Sequence, residues 1–280
     1  AATVAGQGTA SYAAGLSDTL AKYATVAATS AITTDFAAVV ADDDDVAISF
    51  SDTAESAHDI NAINKAASSS GTSGQITGTI TASATILSGL SGVSNKALTI
   101  TCNSAIDVGA LTTLQATTSV DVQYTGGISD DLTNLYDASG TGSRDDELNT
   151  AINGDKDVNI TVEDSSITSG SFSQLNALTG ATGHTGTITA TITGTAKQIN
   201  DTLTGLASTD VITVEVTDAS TNDLTALQAV DNKTDQSVGV ASIYDSYANI
   251  KTMLDTAAFD HADADLTVDA TEKIDKSKQA

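Results

Sequence analysis

The chain has 280 residues, 36 of them acidic and 11 basic, and its formal net charge is -25 at pH 7. This charge excludes nucleic-acid binding, because phosphate contacts need Lys and Arg, and no apolar run approaches the roughly 20 residues of a membrane span. Cys102 is the single cysteine, so a disulfide framework and a zinc cluster of thiolates are excluded as well.

The first part of the chain differs in pattern from the rest. Ser11–Tyr23 and Thr34–Val40 have the apolar spacing of helices. We expect residues 1–44 to form a helical N-terminal cap on a repeated structure, since terminal repeats are atypical and need a polar outer face. A degenerate repeat is the alternative for this segment.

Short runs that alternate apolar with polar residues then recur along the chain. A period of two is typical of a half-buried strand. The predicted strands are Val46–Phe50, Ile76–Ile80, Leu98–Thr101, Val120–Tyr124, Val158–Val162, Thr187–Ile192, Val211–Val216, Val238–Ser242 and Leu266–Val268.

Most of these strands are followed by a polar cluster and then by two leucines three positions apart. Leucines at i and i+3 share one face of a helix, and Asp, Ser or Asn ahead of them can cap its first N–H groups. The predicted helical turns carry the pairs Leu111/Leu114, Leu132/Leu135, Leu175/Leu178, Leu203/Leu206 and Leu224/Leu227.

The regular spacing of strand and helix predicts a repeat fold. Strand starts recur at intervals that are typical of stacked repeats, and one longer interval holds the loop-like segment Ser139–Asp146. We therefore predict an α/β repeat solenoid over residues 45–270, leucine-rich-repeat-like or a β-solenoid, with a parallel strand and a short helix in each coil. Residues 271–280 are predicted to be a polar C-terminal tail.

The composition of these segments resembles that of a known group of proteins. Thr189–Ile199, Val214–Ser220 and Asp223–Ala229 are similar to the Thr/Asp/Ala-rich repeats of large secreted surface proteins of bacteria and cyanobacteria, including S-layer, adhesin and type-I-secreted proteins, and of related phage structural proteins. The resemblance covers about residues 45 to 270 and implies a secreted structural or adhesive role, often with calcium. The calcium nonapeptide of such repeats is absent, because Gly126-Gly127-Ile-Ser-Asp130 lacks its third glycine.

Two acidic clusters are candidate calcium ligands. Calcium takes six to eight oxygen ligands. The first cluster is the run Asp42–Asp45, for which a solvated loop is the simpler interpretation. The second is the set Asp260, Asp263 and Asp265, in which Asp-x-Asp spacing directs carboxylates to one side; an inter-coil loop is its alternative. The positions that an EF-hand would need as Gly and Glu hold Val268 and Ile274, so this is not an EF-hand.

Other residue types point away from catalysis. The histidines His58, His184 and His261 fall in different segments, and no Gly-x-Ser-x-Gly elbow is present. Cys102 lies in an alternating strand and is predicted to be a small core residue. Thr-x-Thr pairs such as Thr191 and Thr193 could form an ice-binding hydroxyl array, but charged residues at related positions interrupt a regular lattice.

These observations favour a non-enzymatic extracellular structural protein with no catalytic residue and no obligatory cofactor. We predict a self-assembling subunit of a surface layer, filament or sheath, in which copies of the chain meet head to tail through exposed strand edges. The alternative is an adhesin repeat module that binds a cell-surface glycan and is stabilised by calcium. In that case we expect exposed aromatic residues, of which Tyr244 and Tyr247 are the closest polar pair.

Overall fold

The computed structural model of the protein describes residues 12, 14–25, 31–43, 46–67, 75–90, 96–137, 143–180, 182–204, 206, 209–217, 224–234, 236, 238–240, 242–255 and 265–268. The fold is mixed α/β. The chain divides into two compact units, one of residues 1–128 and 147–158 and the other of residues 129–146 and 159–280.

The strands form two larger sheets and two small ones. Along the chain they are β1 Leu16–Asp18, β2 Ile48–Ala54, β3 Ile76–Ala82, β4 Lys96–Cys102, β5 Ile128–Asp130, β6 Tyr136–Asp137, β7 Ser143–Arg144, β8 Ile160–Val162, β9 Ile167–Thr168, β10 Ile188–Gly194, β11 Val211–Val216, β12 Val238–Val240, β13 Ser242–Asp245 and β14 Asp265–Val268. The four-stranded sheet has the order β1-β2-β3-β4, and the six-stranded sheet has the order β12-β11-β10-β8-β5 with β9 beside β10. The pairs β13–β14 and β6–β7 are parallel and antiparallel respectively.

Short helices connect many of these strands. They are α1 Leu20–Tyr23, α2 Thr34–Asp42, α3 Ala57–Ala67, α4 Ala84–Leu87, α5 Val108–Gln115, α6 Leu132–Leu135, α7 Asp146–Gly154, α8 Phe172–Thr179, α9 Ala196–Thr202, α10 Leu224–Asp231 and α11 Tyr247–Leu254, with a 3₁₀ turn at Ser169–Ser171. Parallel neighbours need such crossover connections because the chain must return to the same end of the sheet.

Local sequence explains where these helices begin. The Asp107 side chain accepts a hydrogen bond of 2.9 Å from the Ala110 N–H at the start of α5. Thr195 and Gln198 form a reciprocal capping box at the start of α9. Each cap satisfies N–H groups that have no partner within the helix itself.

The predicted solenoid is wrong. A solenoid needs one strand of similar length in every coil, whereas the strands here range from two to seven residues and are divided between sheets of four and six strands. The predicted strand Val120–Tyr124 contributes only an isolated parallel bridge between Gln123 and Thr101, and the Tyr124 N–H donates to the Asp155 carboxylate. The predicted loop insertion Ser139–Asp146 contains β7, which forms a small antiparallel pair with β6 just before the insertion.

The N-terminal segment also differs from the helical cap that the sequence predicts. Helix α2 confirms the predicted helix at Thr34–Val40. The stretch Ser11–Tyr23, however, contains strand β1 before the four-residue helix α1, and β1 pairs in parallel with β2. Residues of this segment therefore extend a sheet.

The core consists of medium-sized aliphatic side chains along the inner faces of the sheets. In β10 the buried residues alternate with half-buried threonines, as the strand period requires. Tyr124 and Phe172 are the largest of the fully buried side chains. Within the described ranges, no helix has the length and apolar character needed to cross a membrane.

Candidate functional site

The predicted calcium ligands lie mostly outside the described residues. Asp260 and Asp263 are outside them, and Asp265 begins β14, opposite Ser242 of β13. Of the acidic run, Asp42 ends α2, Asp43 follows it, and the other two aspartates are not among the described residues. In the described part of the chain, no three His, Cys, Asp or Glu side chains converge as metal ligands.

Several carboxylates instead accept hydrogen bonds from backbone N–H groups far away in the chain. Asp52 accepts a bond of 2.6 Å from Leu20, and Asp164 accepts one of 2.6 Å from Leu132. Both donors are the first residues of short helices, where negative charge is favourable. These aspartates therefore join neighbouring segments and stabilise helix starts.

One polar cluster surrounds the buried residue Tyr124. Its side chain is 2% exposed, and its hydroxyl accepts a hydrogen bond of 3.2 Å from Nε2 of Gln115. Burial raises the pKa of Tyr124 to about 12. The phenol is therefore neutral at physiological pH and serves as an anchored core group.

Asp155 lies beside this tyrosine and holds its backbone. Its carboxylate accepts a hydrogen bond from the Tyr124 N–H, and the residue is 6% exposed. Burial, followed by the neighbouring Asp157, raises the pKa of Asp155, whereas the bond from Tyr124 lowers it. A carboxyl with a raised pKa can act as a proton donor or acceptor, and the exposed Asp157 is a second carboxyl beside it.

A cleft with a volume of about 190 Å³ opens next to Tyr124. Polar side chains line it, with Gln115, Ser119, Asp121 and Thr150 among them, and Val122 and Ala151 form its buried apolar part. The carboxylate, amide and hydroxyl groups of this lining can each exchange hydrogen bonds with a hydroxyl group, and the cleft is smaller than the roughly 300 Å³ at which typical small-molecule sites begin. The sequence does not indicate this cleft, because Gln115 and Thr150 are distant in the chain and no motif connects them.

The residues considered for catalysis lie in separate segments or outside the described residues. His58 is exposed in α3, His184 is half-buried, and His261 is outside the described residues. Cys102 is fully buried at the end of β4, as predicted, and its Sγ–H donates to the Ser104 carbonyl at 3.3 Å. Burial raises the pKa of this thiol, which disfavours the reactive thiolate.

The one arginine, Arg144, is also buried. It lies in β7, is 5% exposed and donates from Nη2 to the Thr182 carbonyl at 3.0 Å. Burial lowers its pKa from the usual high value. In this position the guanidinium ties β7 to a distant loop of the same unit.

Comparison of the chain with protein-family models, with curated proteins and with solved structures finds no match.

Proposed function

We propose that the protein is a non-enzymatic extracellular structural protein that assembles with copies of itself into a surface layer, filament or sheath. The observation that carries this proposal is strand β1, which ends the four-stranded sheet. Its inner side pairs with β2. An edge strand whose outer N–H and C=O groups face no neighbour can accept a strand from another chain.

The electrostatics support a regulated form of assembly. A net charge of -25 keeps subunits apart at low ionic strength, and salt or divalent cations reduce this repulsion. The carboxylates that bind backbone N–H groups explain part of the aspartate content without a catalytic role.

The test is negative-stain electron microscopy together with analytical ultracentrifugation, at low salt, at high salt, with millimolar calcium and with chelator. We expect filaments or sheets in calcium or high salt and monomers at low salt. Ser17 occupies the middle of β1 and is exposed, so Ser17→Pro removes an outward N–H from the edge, and Ser17→Ala is the matched control that keeps it. Monomers under every condition, or assembly that Ser17→Pro leaves unchanged, would contradict the proposal.

The cleft beside Tyr124 favours a second candidate, a module that binds a surface glycan. The carboxylate of Asp121 and the hydroxyls of Ser119 and Thr150 are groups that bind sugar hydroxyls. Titration calorimetry with mono- and oligosaccharides checks this. A heat signal that Asp121→Asn abolishes and Asp146→Asn retains would favour it over the assembly proposal.

A further inference from the structure

We infer that the chain is a tandem repeat of one structural module of about 112 residues, and that the exposed start of the first module is a docking surface for the end of another copy of that module. Repeat A is residues 12–123 and repeat B is residues 124–239. The inference deepens the proposed function by naming a contact surface, and it rests on that function for the setting in which copies meet.

The first argument is the coincidence of element bounds. Helix α1 begins at Leu20 and helix α6 begins at Leu132, 112 residues later. Adding 112 to the residue numbers of other elements in the first two thirds of repeat A likewise gives the residue numbers of elements in repeat B. The matching pairs are β1 with β5, α1 with α6, the Ala24–Ile32 bridge with the Tyr136–Arg144 pair, α2 with α7, the start of β2 with that of β8, α3 with the 3₁₀ turn plus α8, and β3 with β10.

The second argument is that long-range hydrogen bonds repeat at the same step. The Tyr12 N–H donates to Asp43 as the Tyr124 N–H donates to Asp155. Asp52 accepts from the first residue of α1 as Asp164 does from the first residue of α6. Backbone contacts between loops follow the same rule, since Thr33 donates to the Tyr23 carbonyl and Asp145 to that of Leu135. Independent segments would not reproduce bonds that span about 30 residues, so one module has been used twice.

The match continues with small insertions to the end of repeat B. Helix α5 corresponds to α10 at both ends, with a step of 116 between Val108 and Leu224. Thr118 donates to the Leu98 carbonyl as Thr234 donates to that of Ile212. Strand β13 and helix α11 are separated by one residue, as β1 and α1 are.

The two module starts differ in what covers them. At the start of repeat B, Tyr124 and Ile128 are 2% and 1% exposed. The end of repeat A covers them: Ile106 bridges Ile128 in parallel, its N–H donates to the Gly127 carbonyl at 3.2 Å, and Gln115 binds the Tyr124 hydroxyl. These are the contacts that we expect between the end of one module and the start of the next.

At the start of repeat A the equivalent residues are partly exposed. Tyr12, Gly15 and Leu16 correspond to Tyr124, Gly127 and Ile128, and none of the three is buried. Gly15 has a φ of 73° and Gly127 a φ of 81°, so the turn has the same left-handed form. The backbone at the start of repeat A therefore has the conformation seen at the start of repeat B. The apolar residues that are buried at the start of repeat B have partly exposed equivalents at the start of repeat A.

One residue adjusts the fit. A Cβ on Gly126 would lie 2.2–2.4 Å from the Ser104 backbone, so the covering segment approaches closely there. Ala14 stands at the equivalent place in repeat A. A module end that docks on repeat A must therefore sit slightly farther out, and Ala14→Gly should tighten the contact.

The experiment uses a lengthened chain in which residues 12–123 occur twice before Tyr124. The junction Gln123–Tyr12 in this chain reproduces the natural junction Gln123–Tyr124. The sequence has no Trp, so Tyr12→Trp in the inner copy is a single fluorescent reporter, and the same substitution in the natural chain is the reference. We expect a blue-shifted emission and weaker acrylamide quenching in the lengthened chain, because the reporter occupies the buried place of Tyr124.

Thermal unfolding of the lengthened chain without the tryptophan gives a second readout. We expect one cooperative transition with a midpoint at least about 2 °C above that of the natural chain. Inner-copy Ala14→Gly should raise it further, and inner-copy Ser17→Pro should lower it. An exposed reporter together with separate unfolding of the added module would overturn the inference.

The two proposals can fail independently. A buried reporter in the lengthened chain together with a natural chain that stays monomeric supports the docking surface and contradicts the proposed function. Filaments of the natural chain together with an exposed reporter support the proposed function and contradict this surface.

Discussion

The packing of Phe50 against Gly78 provides a double-mutant test of the two-module structure. A Cβ on Gly78 would lie 2.2–2.5 Å from ring atoms of Phe50, a buried residue of the neighbouring strand. At the equivalent places in repeat B, the pair is Val162 and Ala190, both buried. A large side chain beside glycine in one module thus corresponds to a smaller side chain beside alanine in the other.

The expected energies follow from this contact. Gly78→Ala forces a methyl group into the Phe50 ring and should cost about 1–3 kcal/mol. Phe50→Val alone removes part of a buried ring and should cost about 2 kcal/mol. In the double variant the ring no longer opposes the methyl group, so its cost should be less than the sum by at least about 1 kcal/mol. Some cost remains, because Gly78 has a φ of 157° that alanine adopts poorly.

Urea unfolding followed by circular dichroism measures the free energy of unfolding of the natural chain, of each single variant and of the double variant. Gly170→Ala is a matched control, since nothing lies within 4 Å of a Cβ at that position, and it should change stability by less than about 0.5 kcal/mol. Additive effects of Phe50→Val and Gly78→Ala, with a coupling below about 0.5 kcal/mol, would refute the reasoning.

Three further outcomes concern the hydrogen-bonded aspartates and the buried thiol. Asp52→Ala and Asp164→Ala should each destabilise by about 1.5–3 kcal/mol in urea unfolding, because each removes a charged acceptor from the first N–H of a helix, and clearly unequal losses would speak against their equivalence. The raised pKa of Asp155 means that its contribution is favourable at acidic pH and is lost as pH rises through the folded-state pKa. Asp155→Asn, which keeps an acceptor for Tyr124, should therefore raise the melting temperature at pH 7 by more than at about pH 4, and a pH-independent difference would contradict this. Cys102 should react with an aromatic disulfide reagent at least about 100-fold more slowly in the folded protein than in urea, and equal rates would show that it is not protected.

Local patterns predicted many elements well. The alternating run Val211–Val216 is strand β11 with the same bounds, and the leucine pair Leu132/Leu135 marks both ends of α6. Side-chain alternation between neighbours in sequence decides the strand. Helix α6 also depends on a distant group, because the Leu132 N–H donates to Asp164 and Asp131 directly ahead of the helix makes no side-chain cap. The pair Leu203/Leu206 failed because α9 ends at Thr202 and Leu203 is already extended.

The architecture could not be predicted from such local patterns. The surroundings of Val120–Tyr124 depend on distant partners, because Gln123 bridges Thr101 of β4 and the Tyr124 N–H donates to Asp155, 31 positions away. Whether Ser11–Tyr23 is a helix depends on Ile48, which pairs with Leu16. The same alternation of strand and helix patterns occurs in a solenoid of short repeats and in a longer module built of several strand–helix pairs. Long-range hydrogen bonds distinguish the two structures, and the sequence pattern does not.

These bonds also give a physical reason for the unusual composition. Threonine hydroxyls donate to carbonyls of neighbouring segments, as Thr77 does to Ile48 and Thr118 to Leu98, and asparagine amides do the same, as Asn61 does to Gly89. Each such bond contributes about 0.5–1.5 kcal/mol net. With few aromatic side chains, the chain relies on many contacts of this kind between segments to supplement a core of small aliphatic residues.

Hydrogen bonds from side chains to a neighbouring backbone restrict the sequence of the neighbouring segment only weakly. Because a side chain bonds to the backbone of the adjacent segment, the next segment needs only the right backbone path and a small residue at close approaches, such as Gly126 against Ser104. Surface side chains can then vary without loss of these bonds between segments. If a further module docks as we infer, the partly exposed Leu16 at the start of repeat A is one of the residues that it covers.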